Sequence, residues 1–451
     1  MPQIPRRAKA GAVAAYWLAM GLGARQTDLQ NQTRSLMFKR LSRHLFLQIL
    51  VAMLLGAAVG GRWPEAGVNL KILADGFIKL IRMMVAPVIF TSVVVGIAGM
   101  GNLKRVGRIG AKALLYFEVM TTVAMVIGIV MVKAMHPGTG VNADATKLNA
   151  KDIESYVTKA HDQTVAGFFL NLIPKTMVGA FAEGEIIQVL FISVCFGLAL
   201  ASLGSANRPL IAGLDLVYHA LMRMIAWIIR LAPLAAFGAM AFTFGKFGLK
   251  SLLSLGELVA CMYLSCAVFI VVCLGVVLWW NGISLIRYLR HIREEILIGL
   301  GTASSEPVFP RLMAKLEGLG CSRPVVGLVL PAGYSFNLDG SSLYLTLGAL
   351  YIAQATNTAL STGQELTMLL VCLVTSKGAA AVVGGGFITL AATLATLHTI
   401  PVEGMVLIIG IDQFLASARA TTNLIGNGAA PVLIAKWEGE LDPQKAAPVL
   451  R

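Results

Sequence analysis

Asp412, Arg419, Asn423 and Asn427 follow one another at intervals of seven, four and four residues. On a helix of 3.6 residues per turn, those intervals set all four polar groups on one face. The stretch around them, Gly404 to Ala435, is otherwise largely apolar. A guanidinium at membrane depth is costly unless it faces protein, water or a bound anion. Arg419 therefore reads as a carboxylate grip, because its planar fork can give two parallel hydrogen bonds. The competing account is an internal Asp–Arg pair that only steadies the bundle. Asp412 and Arg419 lie roughly 10 Å apart along a helix axis, so that pair requires bent side chains. The run Asn423-Leu-Ile-Gly-Asn-Gly428 predicts a helix that loosens beside the fixed cation.

A second set surrounds Asn337 and Asp339 in GYSFNLDGSS. A carboxylate beside unwound carbonyls makes a site for a hard cation; capping of a kink is the plainer alternative. Ser304 and Ser305, in TASSEP, offer hydroxyls and N-terminal amides to an anion, or act only as caps. Gly384-Gly385-Gly386 allows close backbone approach and gating, or tight packing. Glu306, Lys377 and Glu118 are lone charges in or near apolar sequence. Glu306 could carry a proton and Lys377 could stand in for a cation; snorkelling or local pairing is the plainer account of each.

The composition sets the stage for these residues. Of 451 residues, 57% are hydrophobic and 13% charged, and the mean hydropathy is +0.76. Soluble domains average about 25% charged, so this is an integral membrane protein. The net charge of +14 reads as positive-inside topology and not as nucleic-acid binding. Lys39, Arg40 and Arg43, then Lys104, Arg105, Arg108 and Lys112, then Arg287, Arg290 and Arg293 mark cytoplasmic loops. The six cysteines show no metal-site spacing and read as free thiols. No HExxH, GxSxG or Walker pattern occurs, and no nucleophile–base set points to an enzyme or a cofactor. Residues 1–36 read as an N-terminal extension, with Met37 as a plausible true start; both termini are expected in the cytoplasm.

Apolar runs predict spans near 44–61, 68–99, 111–134, 164–173 with 185–203, 209–243 and 252–280. The last third is different. Residues 296–318 are too interrupted to cross once, and basic residues flank both ends. A helical hairpin that enters and leaves on one side avoids exposing loop backbone to lipid. A broken helix follows at 324–353, then a second hairpin at 365–399, then the broken Arg419 segment. The two breaks share the pattern Asn-Leu-x-Gly at Asn337 and Asn423. Interrupted segments at corresponding places in two halves point to a secondary-transporter site at the midplane of an inverted repeat.

TASSEPVFP, LPAGYSFNLDGSSLYLT, TSKGAAAVVGGGF, GIDQFLASARATTNLIGNG and MMVAPVIFTSVVVGIAGM resemble the dicarboxylate/amino acid:cation symporter family, over about Met37 to Glu440. The resemblance implies an all-α polytopic membrane protein with eight transmembrane helices, two re-entrant hairpins and inverted repeats. It also implies an elevator-type homotrimer in the bacterial inner membrane. The scaffold would take about 44–99 and 164–243, the transport domain about 111–134 and 252–437, and 441–451 would form a cytoplasmic tail. Substrate would meet Ser304, Ser305, Ser341, Val382, Gly384, Arg419 and Asn423. Sodium or protons would use oxygens matching Gly333, Ser335, Asn337, Asp339, Asn423 and Asn427. No cofactor is implied.

Several positions depart from the amino-acid-transporting pattern. Ala416 stands where such relatives place an aspartate for the substrate amine. A C4-dicarboxylate such as succinate, fumarate or malate is therefore expected over an amino acid, whose ammonium would lack a partner. Asn427 replaces a carboxylate of sodium-driven relatives and Met120 a hydroxyl, while Ala381 replaces a glycine; coupling by sodium or by protons stays open. An amino-acid symporter of the same fold is the alternative, and an anion channel a more distant one.

Overall fold

The structure is a computed structural model that describes residues 45–100, 103–144, 170, 172–376, 385–397 and 399–450. The described residues are helical, with one isolated antiparallel bridge between Cys321 and Leu441. Five stretches are long and apolar enough to cross a bilayer: Leu45–Arg62, Pro64–Ala98, Lys104–Met135, Arg208–Lys246 and Gly256–Trp280. Their outer faces carry Ile72, Leu216, Trp279 and Trp280, each more than 70% exposed. Such a surface suits lipid and not water, and the paired tryptophans suit the headgroup belt. The chain is a multi-pass membrane protein.

The first helices are α1 (Leu45–Arg62), α2 (Pro64–Asn69), α3 (Lys71–Met100), α4 (Leu103–Met135), α5 (Met177–Glu183) and α6 (Ile186–Ser202). Next come α7 (Arg208–Ile228) and α8 (Ala232–Ser254), joined by a 3₁₀ turn at Ile229–Leu231. The span expected at 209–243 is thus two helices, and the second runs past its expected end. The span expected at 252–280 starts at Gly256. It comprises α9 (Gly256–Val268), a π-helical stretch Phe269–Leu274, and α10 (Gly275–Trp280). α1 packs closely on α8 because Gly56 and Gly60 bring bare backbone to the partner. A Cβ on Gly60 would run into the Ala241 carbonyl, and one on Gly56 into that of Phe237. Small residues four apart are the usual means of close helix approach in membranes.

The last third contains α11 (Leu285–His291), α12 (Arg293–Thr302), α13 (Phe309–Gly318), α14 (Arg323–Phe336) and α15 (Asp339–Ala355). It ends with α16 (Thr362–Thr375), α17 (Gly385–Leu397), α18 (Asp412–Trp437) and α19 (Pro443–Leu450). α12 and α13 form the first expected hairpin. Ala303, left-handed at φ 52°, turns the chain, and a 3₁₀ turn at Glu306–Val308 leads into the second limb. The limbs are tied by Arg311 to Glu294 and Glu295, and by Lys315 to Glu295 at 2.7 Å. α16 and α17 are the limbs of the second hairpin; residues 377–384, with Val382, Gly384 and Lys377, lie outside the described residues.

One expected break is present and the other is not. α14 and α15 part at Asn337 and Leu338, which leave helical dihedrals. α18 instead runs unbroken through Asn423–Gly428, and the interruption lies before Asp412, in the 3₁₀ turn Val402–Leu407 and the residues after it. The glycines serve close approach there. A Cβ on Gly426 would strike the Asp339 carboxylate, and one on Gly428 would lie 2.5 Å from the Tyr288 hydroxyl. Helix propensity alone favours loosening by about 1 kcal/mol per glycine, and tertiary contact outweighs it.

The end of α18 is anchored by the first turns of α4, where the basic residues expected in a loop are helical. Glu438 pairs with Lys112 and Arg108, each at 2.6 Å, and Glu440 pairs with Arg105. These bonds, that of Arg108 foremost, hold the Glu438 carboxyl below the usual range. A depressed carboxylate stabilises the fold above its ordinary pKa of about 4.3, and that contribution fades as pH falls through its folded value.

Gly60→Leu is expected to destabilise the α1–α8 contact by about 1–3 kcal/mol. Thermal unfolding in detergent reads the change; an unshifted melting temperature would show that this contact does not hold the fold.

Candidate functional site

Arg419 lies in the third turn of α18 and is 5% exposed. Its Nη1 donates to Asp412 Oδ1 at 3.2 Å. The side chains do bend across two turns, so the internal pair held to need bending is present. The guanidinium carbon sits 4.1 Å from the centre of the Tyr344 ring on α15, a cation–π distance. α17 closes the third side. A Cβ on Gly386 would come within 2.6 Å of Arg419 Nη1, so only glycine leaves the guanidinium its place. Among the described residues, Asp412 is the one carboxylate paired with Arg419, through a single nitrogen.

One turn along the same face, Asn423 serves the start of α15. Its Oδ1 accepts from the Gly340 amide at 2.8 Å and the Ser341 amide at 3.3 Å, and its Nδ2 donates to Ser341 Oγ at 3.2 Å. A helix start has amides without intrahelical acceptors, and here a side chain from another helix supplies one. Asn423 and Ser341 are therefore together, and the Asn423 side-chain oxygen is occupied by backbone.

A further turn along, Asn427 faces the break. Asn337 Nδ2 donates to Asn427 Oδ1 and to Asp339 Oδ2, both at 3.1 Å. Asn337 and Asp339 are fully buried, and Asn427 is 1% exposed. Gly333 backs onto this cluster, where a Cβ would come within 2.6 Å of Asn427 Oδ1. Thr121 reaches the Phe336 carbonyl at 3.5 Å, while its neighbour Met120 is buried apolar. Asn337 Oδ1 and Asn427 Nδ2 are buried without a hydrogen-bond partner. Ser335 is half-buried on α14.

Both hairpin-tip serines are buried. Ser305 gives its carbonyl to the Tyr334 hydroxyl at 2.8 Å, which fixes the tip against α14 just before the break. Ser304 Oγ is buried and unpartnered. α12 packs along α18, with Leu424 against the face of Gly299. Ala416, 5% exposed, lies on the α18 face between Asp412 and Arg419 and brings no charge to it.

The profile of the sodium:dicarboxylate symporter family matches residues 45–437. The chain belongs to that family. Among curated relatives, the "C4-dicarboxylate transport protein" of Anaeromyxobacter sp. (strain K) is 56% identical over 412 residues, 91% of this chain and 94% of its own length. That of Laribacter hongkongensis (strain HLHK9) is 54% identical over 409 residues, 91% of this chain and 93% of its own. That of Pseudomonas savastanoi pv. phaseolicola (strain 1448A / Race 6) is 52% identical over 403 residues, 89% and 88%. The family and these relatives are transporters and not enzymes.

Sequence reasoning on this symporter-family chain missed two partners. Tyr344, under the guanidinium, carries no charge to flag it. Arg82 is different: it stands in the apolar run Leu80–Phe90, so the rule that singled out Arg419 applies to it too. It pairs with Glu306, at 2.6 Å.

Asn423→Ala would uncap α15 and is expected to cost about 1–2 kcal/mol of stability. The melting temperature should fall, and an unchanged value would mean that the cap contributes nothing.

Proposed function

We propose that the protein imports C4-dicarboxylates such as succinate, fumarate and malate across the bacterial inner membrane together with cations. The observation that carries this reading is Arg419. It is buried, fixed by Asp412, Tyr344 and the Gly386 backbone, and bonded by one nitrogen to its carboxylate. The rest of its fork is left for a second carboxylate, with Ser304, Ser305 and Ser341 for the far end of a short dianion. Val382 and Gly384 would complete the closure. The names of the relatives agree with such a substrate.

Ala416 supports a substrate without an amine. An ammonium beside that methyl group would lose its water and gain no acceptor, a cost of about 1–3 kcal/mol or more for a charged group.

Charge supports symport. Asp412 already balances Arg419, so a bound dianion brings two uncompensated negative charges into a low-dielectric interior. Two further positive charges restore local neutrality, and sodium ions or protons can supply them. The cluster of Gly333, Ser335, Asn337, Asp339 and Asn427 is the place for them, with the unpartnered Asn337 Oδ1 as one ligand oxygen. Asn423 would contribute there through its backbone. In this reading the protein is a homotrimer with eight spans per protomer and cytoplasmic termini. Its transport domain, about 111–134 and 252–437, slides against a scaffold of about 44–99 and 164–243.

Uptake of labelled succinate into proteoliposomes, under separate sodium and proton gradients, tests the reading. Removing the buried charge with Arg419→Ala should lower uptake at least about tenfold. Wild-type rates from that variant would refute the anion site, and aspartate uptake equal to that of succinate would refute the Ala416 argument.

A further inference from the structure

Glu306 follows directly on the Ser304–Ser305 tip and is 5% exposed. Among the described residues it has one ionic partner, Arg82, whose Nε lies 2.6 Å from its Oε2. The two are 224 residues apart and belong to different parts of the fold: Glu306 opens the second limb of the hairpin, and Arg82 projects from α3. Among the described residues, no other group compensates Glu306. Glu185, before α6, acts on it as a like charge, and Tyr334 is committed to the Ser305 carbonyl. On the hairpin limbs, Arg311 and Lys315 are engaged with Glu294 and Glu295. Among the described residues of α3, Arg82 is the one cation paired with Glu306, while Lys71 is paired with Asp75.

A transporter must open its site to each side in turn. Whether the hairpin swings or its whole body slides, the tip then parts from α3. The partners face that step unequally. Arg82 keeps its charge because a guanidinium is not deprotonated in proteins, whereas Glu306 is 5% exposed, on a tip that the Tyr334–Ser305 bond holds against α14. A carboxylate held in apolar surroundings without a counter-charge takes up a proton instead of staying ionised.

We propose that Glu306 is a proton carrier of this transporter: paired with Arg82 in the state described here, and protonated when the tip leaves α3. The inference rests on the transport reading above. One proton joins the Glu306 carboxylate from the aqueous side that the open site faces. It leaves on the other side when the carboxylate re-forms the pair with Arg82. Each cycle thus moves one proton with the dianion, and supplies one of the two positive charges it needs.

The test uses the full chain in proteoliposomes with a pH dye trapped inside. Succinate added outside, without sodium, should acidify the lumen of vesicles holding the unmutated protein. Glu306→Gln should lower accumulation driven by a pH gradient at least tenfold, and should lower succinate–succinate exchange far less. The neutral pair Arg82→Leu with Glu306→Leu serves if the single variant does not fold, and it should abolish the succinate-linked acidification. Unmutated protein that takes up succinate without acidification overturns the proposal. So does pH-driven accumulation that survives in either variant. Failure of the unmutated protein to take up succinate under any gradient would instead overturn the transport reading itself.

Discussion

A polar group in a membrane interior must find its partners inside the protein, and α18 carries a whole face of them. Two of its four polar side chains meet the discontinuity between α14 and α15. Asn423 supplies the acceptor that the start of α15 lacks, and Asn427 binds the amide of Asn337 where α14 ends. Neither side could be built alone. The broken helix has orphan backbone groups that lipid cannot satisfy, and the polar face has side chains that lipid cannot solvate. Each resolves the other, and the close fit at Gly426 and Gly333 allows the two to touch.

Resolution is deliberately incomplete in places. Asn337 Oδ1, Asn427 Nδ2 and Ser304 Oγ remain buried without hydrogen-bond partners. Buried unpartnered atoms occur elsewhere too, on Ser92 and Tyr351 for example. Two of these three stand at the helix break and one at the hairpin tip. Buried atoms without partners cost free energy, and a solute that satisfies them recovers it.

How much of this was legible in the sequence depended on how local the physics was. The α14–α15 break was readable because Asn-Leu-Asp-Gly disfavours a helix through its own side chains. The first hairpin was readable because a short apolar run ending in TASSEPVFP cannot cross a bilayer. The same logic failed at Asn423–Gly428, where similar residues stay helical. What decides there is the partner: Asp339 and Tyr288 need bare backbone to approach, and nothing within the segment announces them. The Asp412–Arg419 pair was judged from rise per residue, which neglects the reach of an arginine across two turns. Tyr344 under the guanidinium was invisible for the same reason as the approach of Asp339 to Gly426, being a tertiary contact between helices. The packing face was legible, but its occupants were not.

The contacts that hold the hairpin to the rest of the protein differ in kind from those that hold α1 to α8. Backbone meets backbone at Gly56 and Gly60, and such a surface has one fitted position. The hairpin and the start of α14 meet α3 and α7 in part through exchangeable polar contacts, beside the close approach of Gly96 to Pro324. Arg82 pairs with Glu306, the Tyr218 hydroxyl donates to Glu317 at 2.9 Å, and Arg323 bridges Asp215 and Glu317 while lying 5.1 Å from the Tyr218 ring. Asp215 and Arg323 are each about a third exposed, so water replaces much of what their parting removes. Exposed pairs of this sort contribute about 0–1 kcal/mol each. Such pairs can be broken and remade at little net cost, whereas backbone packed on glycine, as at Gly60, cannot slide without collision. The buried member of the set is Glu306, and it is there that parting cannot be left to water.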